Sequence, residues 1–470
     1  MAKDDSALPS GAVESGEYNC IWKLDGQDVL GTIELAGGKF PRGTAAYTLP
    51  ACARPFGGAF PASERRDRVT GYIDAVGRTA VLIDVKVSTQ WRNRTYLDAA
   101  YALVGRGLGG EDTPTFHEVR FQTTGLELLC GFVPLTHTAY PPSLDGTPQW
   151  SARSEGGIFR EWSDEDASVK LDFASSATIA DPYRFRVRFA PWATIKSREA
   201  LGGRAWFRGW CTDLLTLVSA ATGRAETLTH MQFETGQGTV TVFTARVSQT
   251  PYYAAQDFRT HVSYRVGGED GESLLDVLRS VQARRVVRHP LIEGYDPAIL
   301  DRAQHPRSRV LQLVQWIEAA YGFETRDSWE RRVTDHTTKR EDLVEALTRA
   351  RDNGALTTQQ LSFAKRALSK KPYASLDEAL RAVFDRHPGL DIRRRLGDLP
   401  IVQDQLAVDD CDTVESSIRE IRNGLSHGSA DYDAWKLDAL AEVLRQLVRA
   451  DYLQLLGCAY DPEAIFPLGE

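Results

Sequence analysis

Paired cysteines are missing from this sequence. Its six cysteines (Cys20, Cys52, Cys130, Cys211, Cys411 and Cys458) are scattered, with no Cys-x-x-Cys among them. That argues against a zinc knuckle or a disulfide framework and predicts reduced, mostly buried thiols, as in the cytoplasm. No uncharged apolar run approaches the ~18 residues that cross a bilayer, so no membrane partner is expected. Met1 to Gly16 is polar and acidic and lacks the apolar core of a signal peptide. Positive charge is not in excess: 56 Lys+Arg face 64 Asp+Glu, a net charge of −8. This argues against a nucleic-acid coat protein and leaves room for an RNA enzyme with a local basic face. His117, His137, His230 and His261 lack metal-ligand spacing and read as satisfied structural histidines. No metal and no cofactor is expected, and no short internal repeat is evident.

What is present is ample material for cores. At 470 residues, with 42% hydrophobic and 26% charged residues, the chain predicts two to three globular domains. After a flexible N-terminus (1–15), residues 16–267 carry β-type signals. Apolar and polar residues alternate between clusters of Gly, Pro, Asn and Asp. Such segments are Val29 to Leu35, Arg68 to Ile73, Thr79 to Val87, Phe116 to Phe121, Val169 to Phe173, Tyr183 to Phe189 and Val240 to Val247. The reading is a mainly antiparallel sandwich or barrel-like domain. One inserted amphipathic helix runs from about Gly209 to Ala221, ending at Thr222-Gly223-Arg224. A hairpin follows with Gly236-Gln237-Gly238 at its tip. Arg184, Arg186 and Arg188 alternate on one face, which reads as the wet side of a sheet more simply than as a basic binding face. Trp22, Trp91, Trp150, Trp162, Trp192, Trp206 and Trp210 read as core rather than as a ligand groove.

A connector spans 268–307. It opens with the acidic turn Gly267 to Glu272, continues as a short helix from Ser273 to Gln282, and carries Arg279, Arg284, Arg285 and Arg288. Arg284 and Arg285 are candidates for RNA contact, against an equal reading as solvated or salt-bridged charges. Pro290 and Pro306 are expected to break regular structure. From 308 to 470 the period becomes helical. Val310, Leu313, Val314, Ile317 and Tyr321 form one stripe, and Leu343, Val344, Leu347 and Ala350 another, stopped at Asp352-Asn353-Gly354. Thr357 or Thr358 can cap the next helix, with Leu361, Ala364 and Leu368. Ser375 to Glu378 looks like a capping box opening Leu380 to Phe384. Leu390 to Leu396 holds Arg393, Arg394 and Arg395, either a phosphate-tracking patch or a solvated helix face. A last long helix runs from about Tyr432 to Gly457, its core side marked by Trp435, Leu437, Leu440, Leu444, Leu447, Val448 and Leu455. This half is an all-α helical bundle.

The chemistry concentrates just before that last helix. Val414, Ile418, Ile421 and Leu425 make one apolar stripe, Asp410 and Asp412 can cap it, and Gly428 can end it in a left-handed turn. Arg422, Asn423 and His427 sit off the stripe in the last turns. Arg presents a planar fork of donors that fits phosphate. His titrates near neutrality, and Asn holds an oxygen in register without adding charge. Together they suit a phosphodiester whose own ribose hydroxyl is the nucleophile, with Arg in place of a metal. The bare spacing is weak: Arg284 to His289, Arg331 to His336 and Arg381 to His387 are decoys. Among these candidates, only Arg422 is followed by Asn, and only it lies just inside a clean helix end.

Arg422-Asn423-Gly424-Leu425-Ser426-His427 matches the ribonuclease signature of HEPN domains. Arg309 to Tyr321 is similar to the first HEPN helix of the ApeA family, with its Ile317-Glu318-Ala319 segment. Trp206 to Leu217 is similar to the aromatic-led helix of that family's N-terminal domain. The chain therefore resembles an ApeA-like protein, a β-rich domain followed by a HEPN domain. The resemblance implies a metal-independent endoribonuclease in anti-phage abortive infection. It implies cleavage of host or phage RNA, tRNA among the candidates, by a homodimer formed through the HEPN domain. It leaves room for a phage-encoded trigger at the β-domain. The rival reading is a non-catalytic HEPN module that binds nucleotide or RNA, or only dimerises.

Overall fold

A computed structural model describes residues 12–49, 62–90, 94–110, 112–134, 159–181, 184–250, 262–266, 272–296, 304–369, 376–408 and 411–466. Tyr183, Trp91, Trp150, His137, His261, Cys52, Ser375, Asp410 and the turn at 267–271 lie outside them. The chain forms two units. One comprises Met1–Gln282 with Gly457–Ala464, the other Ala283–Leu456 with Ile465–Glu470. The first is antiparallel β, the second helical. The division falls within the stretch read as a connector, and the segment 457–464 belongs to the β unit. There Asp461 donates its backbone N–H to the Ser263 carbonyl at 2.6 Å, and the Ala459 N–H reaches Glu272 Oε1 at 3.3 Å.

In the first unit, strands Ala62–Ile73, Gly16–Leu24, Gln27–Leu35, Arg42–Ala45, Arg94–Asp98 and Arg78–Gln90 pair in that order, and the last returns to pair with the first. The result is a closed antiparallel ring. From Arg78–Gln90 the sheet also runs outward through Tyr101–Gly105, Gly238–Thr244, Leu228–Thr235, Thr115–Thr123, Arg184–Gly202, Ala167–Asp181 and Phe159–Ser163. Alternation explains the ring's filling. In Gly16–Leu24, Cys20, Trp22 and Leu24 turn inward between exposed neighbours. Trp22 is fully buried, and its Nε1 donates to the Thr44 carbonyl at 2.9 Å. Gly71 lies against its ring: a Cβ there would come within 2.5 Å of Trp22 Cε3. Glycine on one strand makes room for tryptophan on the next.

Trp192, Trp206 and Trp210 are buried as well, and Trp162 is half-buried, so four of these tryptophans are core. The inserted helix starts earlier than the hydrophobic period suggests. It begins at Gly203–Trp206, passes through a π turn at Phe207–Cys211 and continues as Thr212–Thr222, with Gly223 left-handed at its end. The widened turn shifts the helical phase, which hides its first turns from a 3.6-residue pattern. Thr235 pairs with Gly238 around the expected hairpin tip. The second strand of that hairpin ends at Thr244, with Val247 joined only by a single bridge.

In the second unit, Pro290 and Pro306 open helices instead of breaking them. They begin Pro290–Gly294 and Pro306–Glu324, and the ring nitrogens of His289 and His305 accept the N–H groups of Leu291 and Arg307. Proline at the first helical position forfeits no intrahelical bond. Pro306–Glu324 buries Val310, Leu313, Val314, Ile317 and Ala320, with Tyr321 half-buried. It packs on Ala434–Leu455, which buries Leu437, Leu440, Leu444, Leu447 and Val448. Two expected core assignments fail. Trp435 is 61% exposed in the first turn of that helix. Arg326–Asp352, with Leu343 and Val344, buries no residue along its 27 positions. Its sequence is charged on every side, as suits a solvated helix. Thr357 caps Thr358–Ala367 through a capping box with Gln360.

A buried ion network joins three helices. Asp451 lies 2.7 Å from Arg386 Nη1 and 3.1 Å from His387 Nε2, and Arg386 Nη2 reaches Glu324 at 2.6 Å. Among the described residues no helix is long and apolar enough to cross a membrane. Cys20, Cys130, Cys211, Cys411 and Cys458 are buried, and none forms a disulfide among the described residues.

Candidate functional site

The motif helix is Val414–His427. Its cap is Thr413, not Asp412. The Thr413 hydroxyl accepts the Ser416 N–H at 3.1 Å, and the Ser416 hydroxyl accepts the Thr413 N–H in return. Ser in place of the usual Glu or Gln at the third position hid this box from the sequence. Ile418, Ile421 and Leu425 are buried, as the stripe predicts. Gly428 ends the helix at φ 66°, where a side chain would be strained, and its N–H bonds the Gly424 carbonyl. The Arg307 guanidinium donates to the Leu425 carbonyl, so one of the helix's last acceptors is satisfied by a cation.

Arg422 and Asn423 are half-buried and His427 is exposed. Arg422 Nη1 donates to Asn423 Oδ1 at 3.3 Å, and its Nη2 bonds Glu318 Oε2 at 3.1 Å. Glu318 comes from Pro306–Glu324, so two helices meet at this guanidinium. An open cleft of about 510 Å³ lies beside it, lined by Leu311, Gln315, Glu318, Ala319, Arg422 and Ser426. Its only charges are one cation and one anion, already in contact. His427 is not among the lining residues. At five residues' separation, Arg422 and His427 lie about 140° apart round the helix. Asn423 and His427, four apart, share a face. No hydrogen bond or ion pair of the His427 ring is found among the described residues.

The decoys resolve structurally. His289 and His387 are buried, the first as a helix cap and the second on Asp451. His336 lies on the solvated helix. The arginines read as candidates for RNA contact are largely occupied. Arg393 pairs with Asp385 at 2.8 Å and Glu415 at 2.9 Å. Arg394 pairs with Asp391. Arg395 donates to the Leu390 carbonyl at 3.0 Å and stacks on Phe466. Arg284 and Arg285 are half-buried on Leu274–Val286. None of these five lines the cleft beside Arg422. Glu318 was missed in its pairing role. It sits beside Ile317 of the core stripe, and no local pattern announces a partner 104 residues away.

Two histidines of the β unit part ways. His117 Nδ1 meets the Ser197 carbonyl at 3.2 Å. His230 is buried, but its Nδ1 has no hydrogen-bond partner among the described residues, contrary to the expectation of a satisfied ring. Burial holds its pKa down, to about 4. Among the described residues no three His, Cys, Asp or Glu side chains gather as a metal-ligand set. No protein-family model, no curated protein and no solved structure matches the chain.

Proposed function

We propose that the protein is a HEPN-type endoribonuclease of the ApeA kind that acts in abortive anti-phage defence in the cytoplasm. The observation that carries this reading is the helix end. Arg422 borders an open cleft, Asn423 accepts a hydrogen bond from the Arg422 guanidinium, and an unengaged His427 is the last helical residue. Arg422 supplies a planar cation for phosphate, and His427 an imidazole that can serve as a base.

One copy does not surround a phosphate, because Arg422 and His427 face different sides of the helix. The proposal therefore includes a two-fold dimer through the helical unit, with RNA between two motif helices. His427 takes the proton of the ribose 2′-hydroxyl. The 2′ oxygen bonds to phosphorus, and the bond from phosphorus to the 5′ oxygen breaks. The imidazolium of the second copy protonates the departing oxygen, leaving a 2′,3′-cyclic phosphate and a 5′-hydroxyl. Arg422 offsets the charge on the equatorial oxygens, and Asn423 orients it. The step requires no metal.

The test is His427→Ala. RNA cleavage with cyclic-phosphate ends should disappear while folding and dimerisation stay intact, and wild-type activity should survive EDTA. A variant that cleaves as fast as wild type sinks the assignment. One observation favours a second reading, a module that binds nucleotide or RNA without cutting: Glu318 already neutralises Arg422. RNA bound by wild type with no cyclic-phosphate ends would select it.

A further inference from the structure

The β unit holds a second cavity, of about 270 Å³. Its floor is apolar: Met231, Phe233 and Val242 are buried. Tyr101 and Phe207 form aromatic walls, and exposed Phe40 stands at the mouth. Arg204, Arg208 and Arg246 line it as well and are exposed. Arg204, Phe207 and Arg208 fall at i, i+3 and i+4 of one helix and so share a face. That helix passes here through the π turn at Phe207–Cys211, a geometry that recurs at functional surfaces. Arg246 lies over the Phe207 ring, 5.5 Å from its centroid.

The charges are unbalanced. Among the described residues no carboxylate lies within ion-pair distance of these three guanidiniums. The one acid in the lining is Asp84, whose backbone is left-handed at φ 54°. The strand register passes from Ile83 to Val85 without pairing it. Such a conformation is uncommon outside glycine. A surface that gathers three cations round an aromatic-walled hollow, leaving them unpaired, is built for an anion with a planar ring.

We propose that this cavity binds a single nucleoside monophosphate. Three guanidiniums exceed what one carboxylate needs and match the charge and acceptor oxygens of a phosphate. Tyr101 and Phe207 offer faces to a base. Asp84 accepts from a ribose hydroxyl or an exocyclic amine. At about 270 Å³ the cavity lies just under the range of about 300–1,000 Å³ usual for small-molecule sites, so it takes at most one ligand of nucleotide size. The site lies wholly within the β unit and is independent of the Arg422 cleft.

The test is calorimetric titration of the full-length protein with each of the four ribonucleoside 5′-monophosphates, the matching nucleosides and inorganic phosphate. At least one monophosphate should bind, with its nucleoside and free phosphate each about tenfold weaker or more. Arg204→Ala/Arg208→Ala should weaken it at least about tenfold, and so should Arg246→Glu, tested because a single exposed change leaves the fold intact. Arg422→Ala should leave it unchanged. The proposal fails if none of the four binds at millimolar concentration. It fails equally if the arginine variants bind as wild type, if phosphate alone binds as tightly, or if Arg422→Ala abolishes binding.

Discussion

The Arg422 guanidinium is held by the Glu318 carboxylate at 3.1 Å, across 104 residues of sequence. Both side chains are about one-third exposed, at 36% and 32%. The pair is therefore screened and worth no more than about 1 kcal/mol to the fold. On the proposed nuclease reading, an incoming phosphate would meet an arginine already in use. Glu318→Gln should leave the unfolding free energy within about 1 kcal/mol of wild type. It should also tighten binding of a 2′-deoxy, uncleavable RNA analogue by about three- to tenfold in fluorescence anisotropy. Weaker binding would mean that Glu318 positions Arg422 instead of restraining it.

Arg422→Lys keeps the charge and loses the fork. If the guanidinium meets two phosphate oxygens at once, single-turnover cleavage should fall by about 100-fold or more. A melting temperature near the wild-type value would show that the loss is chemical, since the side chain is only half-buried. Full activity in the lysine variant would reduce Arg422 to a point charge.

His230 predicts a pH effect on stability. Its imidazole is held from 6.5 down to about 4 by burial. The folded state thus resists a proton that the unfolded chain accepts. Stability from this group is fully present above the unfolded value of about 6.5, declines as pH falls, and is lost by about pH 4. The total is about 3 kcal/mol. Urea denaturation at pH 7 and pH 5 should show the fall in wild type, and His230→Asn should lose this part of it. Identical slopes in both proteins would place the titration elsewhere.

Trp22→Ala empties the middle of the strand ring. The ring is fully buried and rests on Gly71, which has no side chain to collapse into the gap. A cost of about 3–5 kcal/mol is expected by denaturant unfolding. Gly71→Ala should also destabilise, because its Cβ would overlap Trp22 and Cys20. Wild-type stability in both would show that the ring repacks freely.

Much of the fold was legible because burial is written in periods. Gln27–Leu35 alternates, as do residues 84–89 of Arg78–Gln90 and 118–121 of Thr115–Thr123, and the motif helix carries a clean four-three-four stripe. The misses have physical reasons. Leu343 and Val344 have helical spacing, but the rest of Arg326–Asp352 is too charged to bury. Trp435 occupies the first turn of its helix, where it stays largely exposed with the Lys436 ammonium 5.7 Å over its ring. The ring closure was invisible: Ala62–Ile73 and Arg78–Gln90 form a hairpin that reads locally, but its pairing back to Gly16–Leu24, and that of Arg94–Asp98 with Arg42–Ala45, does not. At the site, Arg422, Asn423 and His427 were readable from spacing and a helix stop. Glu318 was not, because pairing across helices leaves no trace in a local window.

The segment 457–464 comes off the ribosome after residues 283–456 of the helical unit, yet it is part of the β unit. Newly made chains must therefore hold that earlier unit incomplete until synthesis of 283–456 is over. A nonsense codon at 457 would do more than shorten the tail. It would strip the Ser263 carbonyl and the Glu272 carboxylate of their partners from that segment, leaving a gap nearly two hundred codons upstream of the lesion.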